Sequence, residues 1–91
     1  MSIEVRVPTI LRNHTDGQRK VAGDGATLRE LIDDLDASYP GIKDAVVDDE
    51  GKLHRFVNLY VNDEDVRFLG SIETPLEDGD EVSILPAVAG G

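Results

Sequence analysis

The stretch TLRELIDDLDASY, residues 27–39, decides the fold because it is the longest segment of the chain with helical periodicity. Thr27 followed by Glu30 fits a capping box, in which side chains satisfy free backbone N–H groups at a helix start. Apolar residues then recur at helical spacing on one face, and charged residues occupy the other. The pattern predicts a helix that packs on a flat surface through Leu28, Leu31, Ile32, Leu35 and Tyr39.

Alternating apolar and polar residues on both sides of this helix predict β-strands. The strands are expected at residues 3–7, 18–22, 56–62 and 81–85, with a short fifth piece around 66–68. Asp16-Gly17 is a turn pair that closes the first hairpin, and residues 42–52 are expected to form a solvated loop with at most one irregular turn. The order strand, strand, helix, strand, short strand, strand predicts an α+β domain with one helix across one mixed sheet.

Composition limits the possible functions. The 91 residues suffice for one domain, and the absence of cysteine excludes disulfides and thiol chemistry. The net charge of -10 disfavours nucleic acid and anionic membranes as partners and favours basic protein surfaces, although a salt-adapted proteome would explain it equally well. The first residues resemble neither a signal peptide nor a membrane span, so a cytoplasmic protein is expected.

No catalytic or metal-binding motif emerges from the chain. The acidic runs at residues 48–50 and 63–65 lack the alternating ligand spacing of a calcium loop, and His14 and His54 are far apart in sequence. No Walker-type phosphate loop occurs. We therefore predict no catalytic residue, no metal ligand and no cofactor bound by this chain itself.

The carboxyl end, Ala89-Gly90-Gly91, is the most informative functional feature. Two glycines without Cβ atoms let the backbone pass through a slot too narrow for other residues. Extended at about 3.3 Å per residue, the segment from Pro86 to Gly91 reaches roughly 20 Å beyond the last strand. We predict that the Gly91 carboxylate is the reactive group and that Gly90 gives access, although a frayed terminus is the alternative on the dipeptide alone.

Several segments resemble one family over nearly the whole chain. The segments PTILR at 8–12, KLHRFVN at 52–58, YVNDEDVRF at 60–68 and ILPAVAGG at 84–91 are similar to CysO-type sulfur carriers of the MoaD/ThiS family. The resemblance implies a ubiquitin-like β-grasp domain at residues 1–86, with a mixed sheet and one main helix across it, and a flexible Gly-Gly tail at 87–91.

The resemblance also implies a chemistry carried out by partner proteins. An E1-like adenylyltransferase of the MoeB/ThiF type would adenylate Gly91 with ATP, and a sulfur donor would convert it to a thiocarboxylate. A PLP-dependent cysteine synthase would take up the sulfur, and a zinc metallopeptidase would release cysteine. ATP, PLP and zinc would all belong to these partners. Docking is expected through an apolar patch made by Phe68, Leu85, Pro86, Val88 and Ala89.

Other functions remain open at this point. The chain could be a MoaD-like small subunit of molybdopterin synthase, with its tail held in a large subunit. It could be a ubiquitin-like modifier that joins Gly91 to lysines of other proteins, or an ordinary binding module. Leu85 could equally complete the core, since it adjoins Ile84 in the last strand.

Overall fold

A mixed sheet of five strands forms one layer of the structure. The computed structural model describes residues 2–54 and 57–86. The strands are β1 (Ile3–Arg6), β2 (Lys20–Gly23), β3 (Val57–Val61), β4 (Glu64–Asp65) and β5 (Glu81–Pro86). Their order across the sheet is β2-β1-β5-β3-β4, with β1 and β5 parallel and the other neighbours antiparallel. The last strand of the sequence is therefore the central strand of the sheet.

The second layer is the helix α1 (Leu28–Ser38), which follows the expectation from residues 27–39. The Thr27 hydroxyl oxygen accepts a 3.3 Å hydrogen bond from the Glu30 N–H. The Glu30 carboxylate reaches one residue further back than the expected capping box, to the Ala26 N–H at 3.2 Å. The predicted helix start is confirmed, and Leu28, Leu31, Ile32 and Leu35 all lie in the core.

The expected loop at residues 42–52 was wrong in its first half, which forms a second helix, α2 (Ile42–Val46). One carboxylate oxygen of Asp36 accepts from the N–H groups of Gly41 and Lys43, each at 3.1 Å, and so stabilises the start of α2. Ile42 and Val46, four residues apart, are both buried. A helix of five residues is too short to give a visible period in the sequence.

The expected strand piece around residues 66–68 was also wrong. The segment Val66–Phe68 is a 3-10 turn, and the strand that pairs with β3 lies just before it at Glu64–Asp65. The Asp65 carboxylate accepts from the Arg67 N–H at 2.9 Å, which ends the strand by capping the turn. Two further 3-10 turns lie at Thr9–His14 and Ser71–Glu73.

The core lies between the sheet and the two helices. The inward rows of neighbouring strands face each other in register, as with Val5 opposite Val82 and Leu59 opposite Ile84. All four of these side chains are at least 97% buried. No helix within residues 2–54 and 57–86 is long and apolar enough to cross a membrane.

Candidate functional site

Strand β5 is paired on both sides as far as Ser83 and on one side from there to its end. β5 pairs with β1 on one side and with β3 on the other, where Pro86 lies opposite Val57 and Leu85 opposite Asn58. Because the ladder with β3 extends to Pro86, the position of this last described residue is set by the sheet. The sequence predicted the strand but not its central place.

Leu85 and Pro86 are exposed at this end of the sheet. Leu85 is 47% exposed, whereas its neighbour Ile84 is 3% exposed. Alternation along the strand turns Ile84 toward the helices and Leu85 toward the uncovered outer face. The alternative that Leu85 completes the core is therefore wrong.

The outer face beside Leu85 forms a shallow cavity of about 330 Å³. Ser83 lies two residues before Leu85 on β5, and the register places Tyr60 of β3 and Arg6 of β1 on either side of Ser83. Asp63, in the turn after β3, completes the lining. Tyr60 and Arg6 were not predicted as part of this surface, although both stand at the polar positions of alternating strands, a pattern that places them on the outer face.

Phe68 is 85% exposed and is the most exposed large apolar side chain among the described residues. It lies on the turn after the edge strand β4, which is separated from β5 by β3. At about 4.8 Å per strand, β4 runs about 10 Å from β5. The three described residues of the predicted docking patch thus occupy two separate places, with Leu85 and Pro86 at the end of β5 and Phe68 beyond β4. Strand β3 lies between these places.

An ion pair fixes the turn that carries Phe68. The Arg67 guanidinium donates from Nη2 to a carboxylate oxygen of Asp65 at 2.6 Å, and its Nε donates to the same carboxylate at 3.1 Å. These hydrogen bonds lower the pKa of Asp65 below its ordinary value of 3.8 and raise the pKa of Arg67. The pair thereby links the residue that caps the turn to the middle residue of the turn.

Val88, Ala89, Gly90 and Gly91 lie outside the described residues, so their predicted roles stay predictions. In the described part of the chain, no three His, Cys, Asp or Glu side chains come together as metal ligands. A second cavity, of about 620 Å³, lies beside β3 and the 66–73 turns, with apolar walls that include Leu53, Val57 and Ile72.

Comparison with known proteins identifies the class and then the family. The fold, with its central last strand, defines a ubiquitin-like β-grasp protein. The sulfur carrier protein CysO of Mycobacterium tuberculosis is 58% identical over 93 residues and is covered completely, as is this chain. CysO in the crystal structure of the Amycolatopsis orientalis BexX/CysO complex superimposes with a TM-score of 0.91 at 56% identity, covering 98% of this chain and 99% of that one.

A third relative comes from an archaeon. The small archaeal modifier protein 3 of Haloferax volcanii is 34% identical over 94 residues, with both chains covered completely. The model of the ThiS family matches residues 5–91, which include the Gly-Gly end. The chain belongs to the ThiS family, and the predicted β-grasp fold is confirmed.

Proposed function

We infer that this protein is a sulfur carrier of the CysO type that serves cysteine biosynthesis, and that the Gly91 carboxylate carries the sulfur. The observation that carries this inference is the full-length likeness to CysO at 58% identity, over an alignment that leaves no part of either chain unmatched. The family match extends through Gly91 itself. The central β5 adds a physical reason, because the sheet fixes the position of Pro86, five residues before Gly91 in the sequence.

The proposed chemistry starts from a poor electrophile. A carboxylate resists attack because it has no good leaving group, so Gly91 must first be joined to AMP with release of pyrophosphate. A sulfide-level nucleophile such as HS⁻ then attacks the acyl carbon and AMP leaves. Loss of the proton on sulfur leaves a thiocarboxylate on Gly91. Gly90, without a side chain, would let the terminus enter a narrow active site.

The enzymes of these steps would be partner proteins. We propose an E1-like adenylyltransferase of the MoeB/ThiF type for activation, a PLP-dependent cysteine synthase for sulfur uptake and a zinc metallopeptidase for cysteine release. This chain would act as their co-substrate and bind none of their cofactors. Because activation consumes ATP, we propose the cytoplasm as its location.

We propose that the adenylyltransferase contacts the exposed end of β5. Leu85 and Pro86 are exposed there, and Val88 and Ala89 continue the apolar sequence toward Gly90. Phe68, beyond β4, would extend the contact across Tyr60. Exposed apolar groups with a polar surround are typical of protein interfaces, which supports this assignment.

A second function is favoured by one comparison. The likeness to small archaeal modifier protein 3 covers both chains completely, so conjugation of Gly91 to lysines of other proteins is the alternative. Both functions require activation of Gly91. They differ in the product, which is a thiocarboxylate for the carrier and an isopeptide for the modifier.

The activation step is tested by deletion of Gly91. We expect the shortened chain to keep its thermal unfolding temperature and to lose ATP-dependent release of pyrophosphate with the adenylyltransferase. Gly90→Leu should also lose activity without unfolding, whereas Ala87→Gly, which keeps the length and the Gly-Gly end, is the matched control. Undiminished pyrophosphate release by the shortened chain would refute the role of Gly91.

A further inference from the structure

A second groove, on the other side of Leu85 from the Tyr60 cavity, concentrates positive charge in a strongly acidic protein. It has a volume of about 340 Å³ and lies where β1 ends beside β5. Ile84 and Leu85 contribute apolar surface to it. Four basic side chains line this basic groove, and no acidic residue does: Arg6, Arg12, Arg19 and Lys20.

This concentration is unusual for the chain. The sequence has 9 basic residues against 19 acidic ones, so close to half of all its cations line a single groove. A uniform spread would place acidic side chains among them. Charges of one sign gathered in a cleft raise the local potential well above that of the surrounding surface.

Two of these cations have no carboxylate partner in the described part of the chain. Arg6 pairs with Glu81 at 3.3 Å and Lys20 pairs with Glu4 at 3.5 Å, both along the sheet. Arg12 and Arg19 form no ion pair with a described residue. The described cations outside the groove each form one: Arg29, Lys43, Lys52 and Arg67.

Arg12 is held in place without a carboxylate. Its Nε donates a 3.2 Å hydrogen bond to the Val7 carbonyl oxygen, just past the end of β1, and its side chain is half-buried. A guanidinium has five N–H donors, and this bond uses one. The side chain has therefore given up part of its freedom before any ligand arrives, which lowers the entropy cost of binding.

We propose that the basic groove binds an acidic segment, rich in Asp and Glu, of the enzyme that activates Gly91. The proposal rests on the proposed function above. Gly91 is only five residues from Pro86, so a protein that holds Gly91 in its active site lies near the end of β5. Leu85, one residue before Pro86, belongs to the groove wall. Arginine binds carboxylates through paired N–H donors, which makes Arg12 and Arg19 suited to this ligand.

The charge of the remaining surface makes the groove selective. Acidic residues elsewhere on the chain repel an acidic segment, so the groove is the favourable place for it to bind. The net charge of -10 still attracts basic regions of the same partner at long range. The two effects together would fix the orientation in which the tail enters the partner.

The test compares two double variants that lose the same net charge. Arg12→Gln with Arg19→Gln removes the unpaired cations of the groove, and Lys43→Gln with Lys52→Gln removes two cations remote from it. With purified adenylyltransferase, we expect the groove variant to raise the KM for this chain by about 3- to 30-fold relative to the control, with kcat nearly unchanged. Equal KM values for the two double variants would overturn the proposal.

Two further measurements keep the result interpretable. Arg19→Gln alone serves if the groove variant unfolds, because Arg19 is exposed and its side chain makes no hydrogen bond or ion pair with a described residue. If the unaltered chain is not adenylated, the proposed function fails, and NMR titration of the full chain with a synthetic Glu-rich peptide still tests the groove. Shifts of the Arg6, Val7 and Lys20 amides by this peptide and not by its Gln counterpart support the proposal. Shifts there by ATP alone would overturn it.

Discussion

Substitution of two neighbouring residues on β5 distinguishes a role in stability from a role in docking. Ile84 is 3% exposed and Leu85 is 47% exposed. Ile84→Ala removes a fully buried side chain and should destabilise the protein by about 3 kcal/mol, the middle of the range for such truncations. Leu85→Ala loses roughly half the burial of a leucine and leaves no internal cavity, so about 1 kcal/mol is expected.

The assay combines thermal unfolding with partner affinity. For a domain of this size, about 4–8 °C per kcal/mol predicts a fall in unfolding temperature of roughly 12–24 °C for Ile84→Ala and of about 4–8 °C for Leu85→Ala. Leu85→Ala should in addition weaken binding to the adenylyltransferase by about tenfold, the effect of about 1.4 kcal/mol. Ser83→Ala, on the same outer face, is the control and should change neither quantity much.

One outcome would contradict the docking role of Leu85. If Leu85→Ala destabilised the protein as much as Ile84→Ala and left partner affinity unchanged, Leu85 would be a structural residue. The docking assignment at the end of β5 would then be wrong.

Two further predictions concern local interactions. Thr27→Ala removes the hydroxyl that accepts from the Glu30 N–H and should lower the free energy of unfolding by about 1 kcal/mol, measured by urea denaturation; no change would show that this cap contributes nothing. The Asp65 carboxyl should titrate below 3.8 by NMR, and Arg67→Gln should move its midpoint up. Because the folded pKa of Asp65 is lowered, the stabilisation by this pair is present near neutral pH and is lost as pH falls through that pKa. An unchanged midpoint in Arg67→Gln would contradict the assignment.

Much of the fold could be predicted because the spacing of the apolar residues has a single cause, the burial of one face of a helix or strand. The spacing of Leu28, Leu31, Ile32 and Leu35 reflects burial of one helix face, and the alternation in β3 and β5 reflects burial of one sheet face. The turn at Asp16 and Gly17 was also predictable, because the pair Asp-Gly is common in turns that require positive φ. In the structure their φ angles are 55° and 81°.

The errors fall where a side chain that caps backbone N–H groups decides the local structure. α2 depends on Asp36, which lies outside it and accepts from Gly41 and Lys43. The turn at Val66–Phe68 depends on capping by Asp65, which a strand pattern does not reveal.

The candidate site was predicted only where its residues are recognisable in the linear sequence. The importance of Gly91 follows from the local sequence and the family resemblance. For Leu85 the sequence left two possibilities, an exposed docking residue or a core residue next to Ile84. The basic groove was not predicted, because Arg6, Arg12, Arg19 and Lys20 come together only when β1, β2 and β5 pair. Side chains gathered by strand order leave no signal in linear spacing.

Whether Gly91 carries sulfur can be measured as the intact mass of the protein purified from its native cells under reducing conditions. We predict a species heavier than the unmodified chain by the mass of a sulfur atom minus that of an oxygen atom. The added mass should lie in the fragment that ends at Gly91. Incubation with the cysteine synthase and its activated serine substrate should convert this species to one heavier by an added cysteine. Conjugates to larger proteins through Gly91, with no thiocarboxylate species, would contradict the account and establish the modifier function.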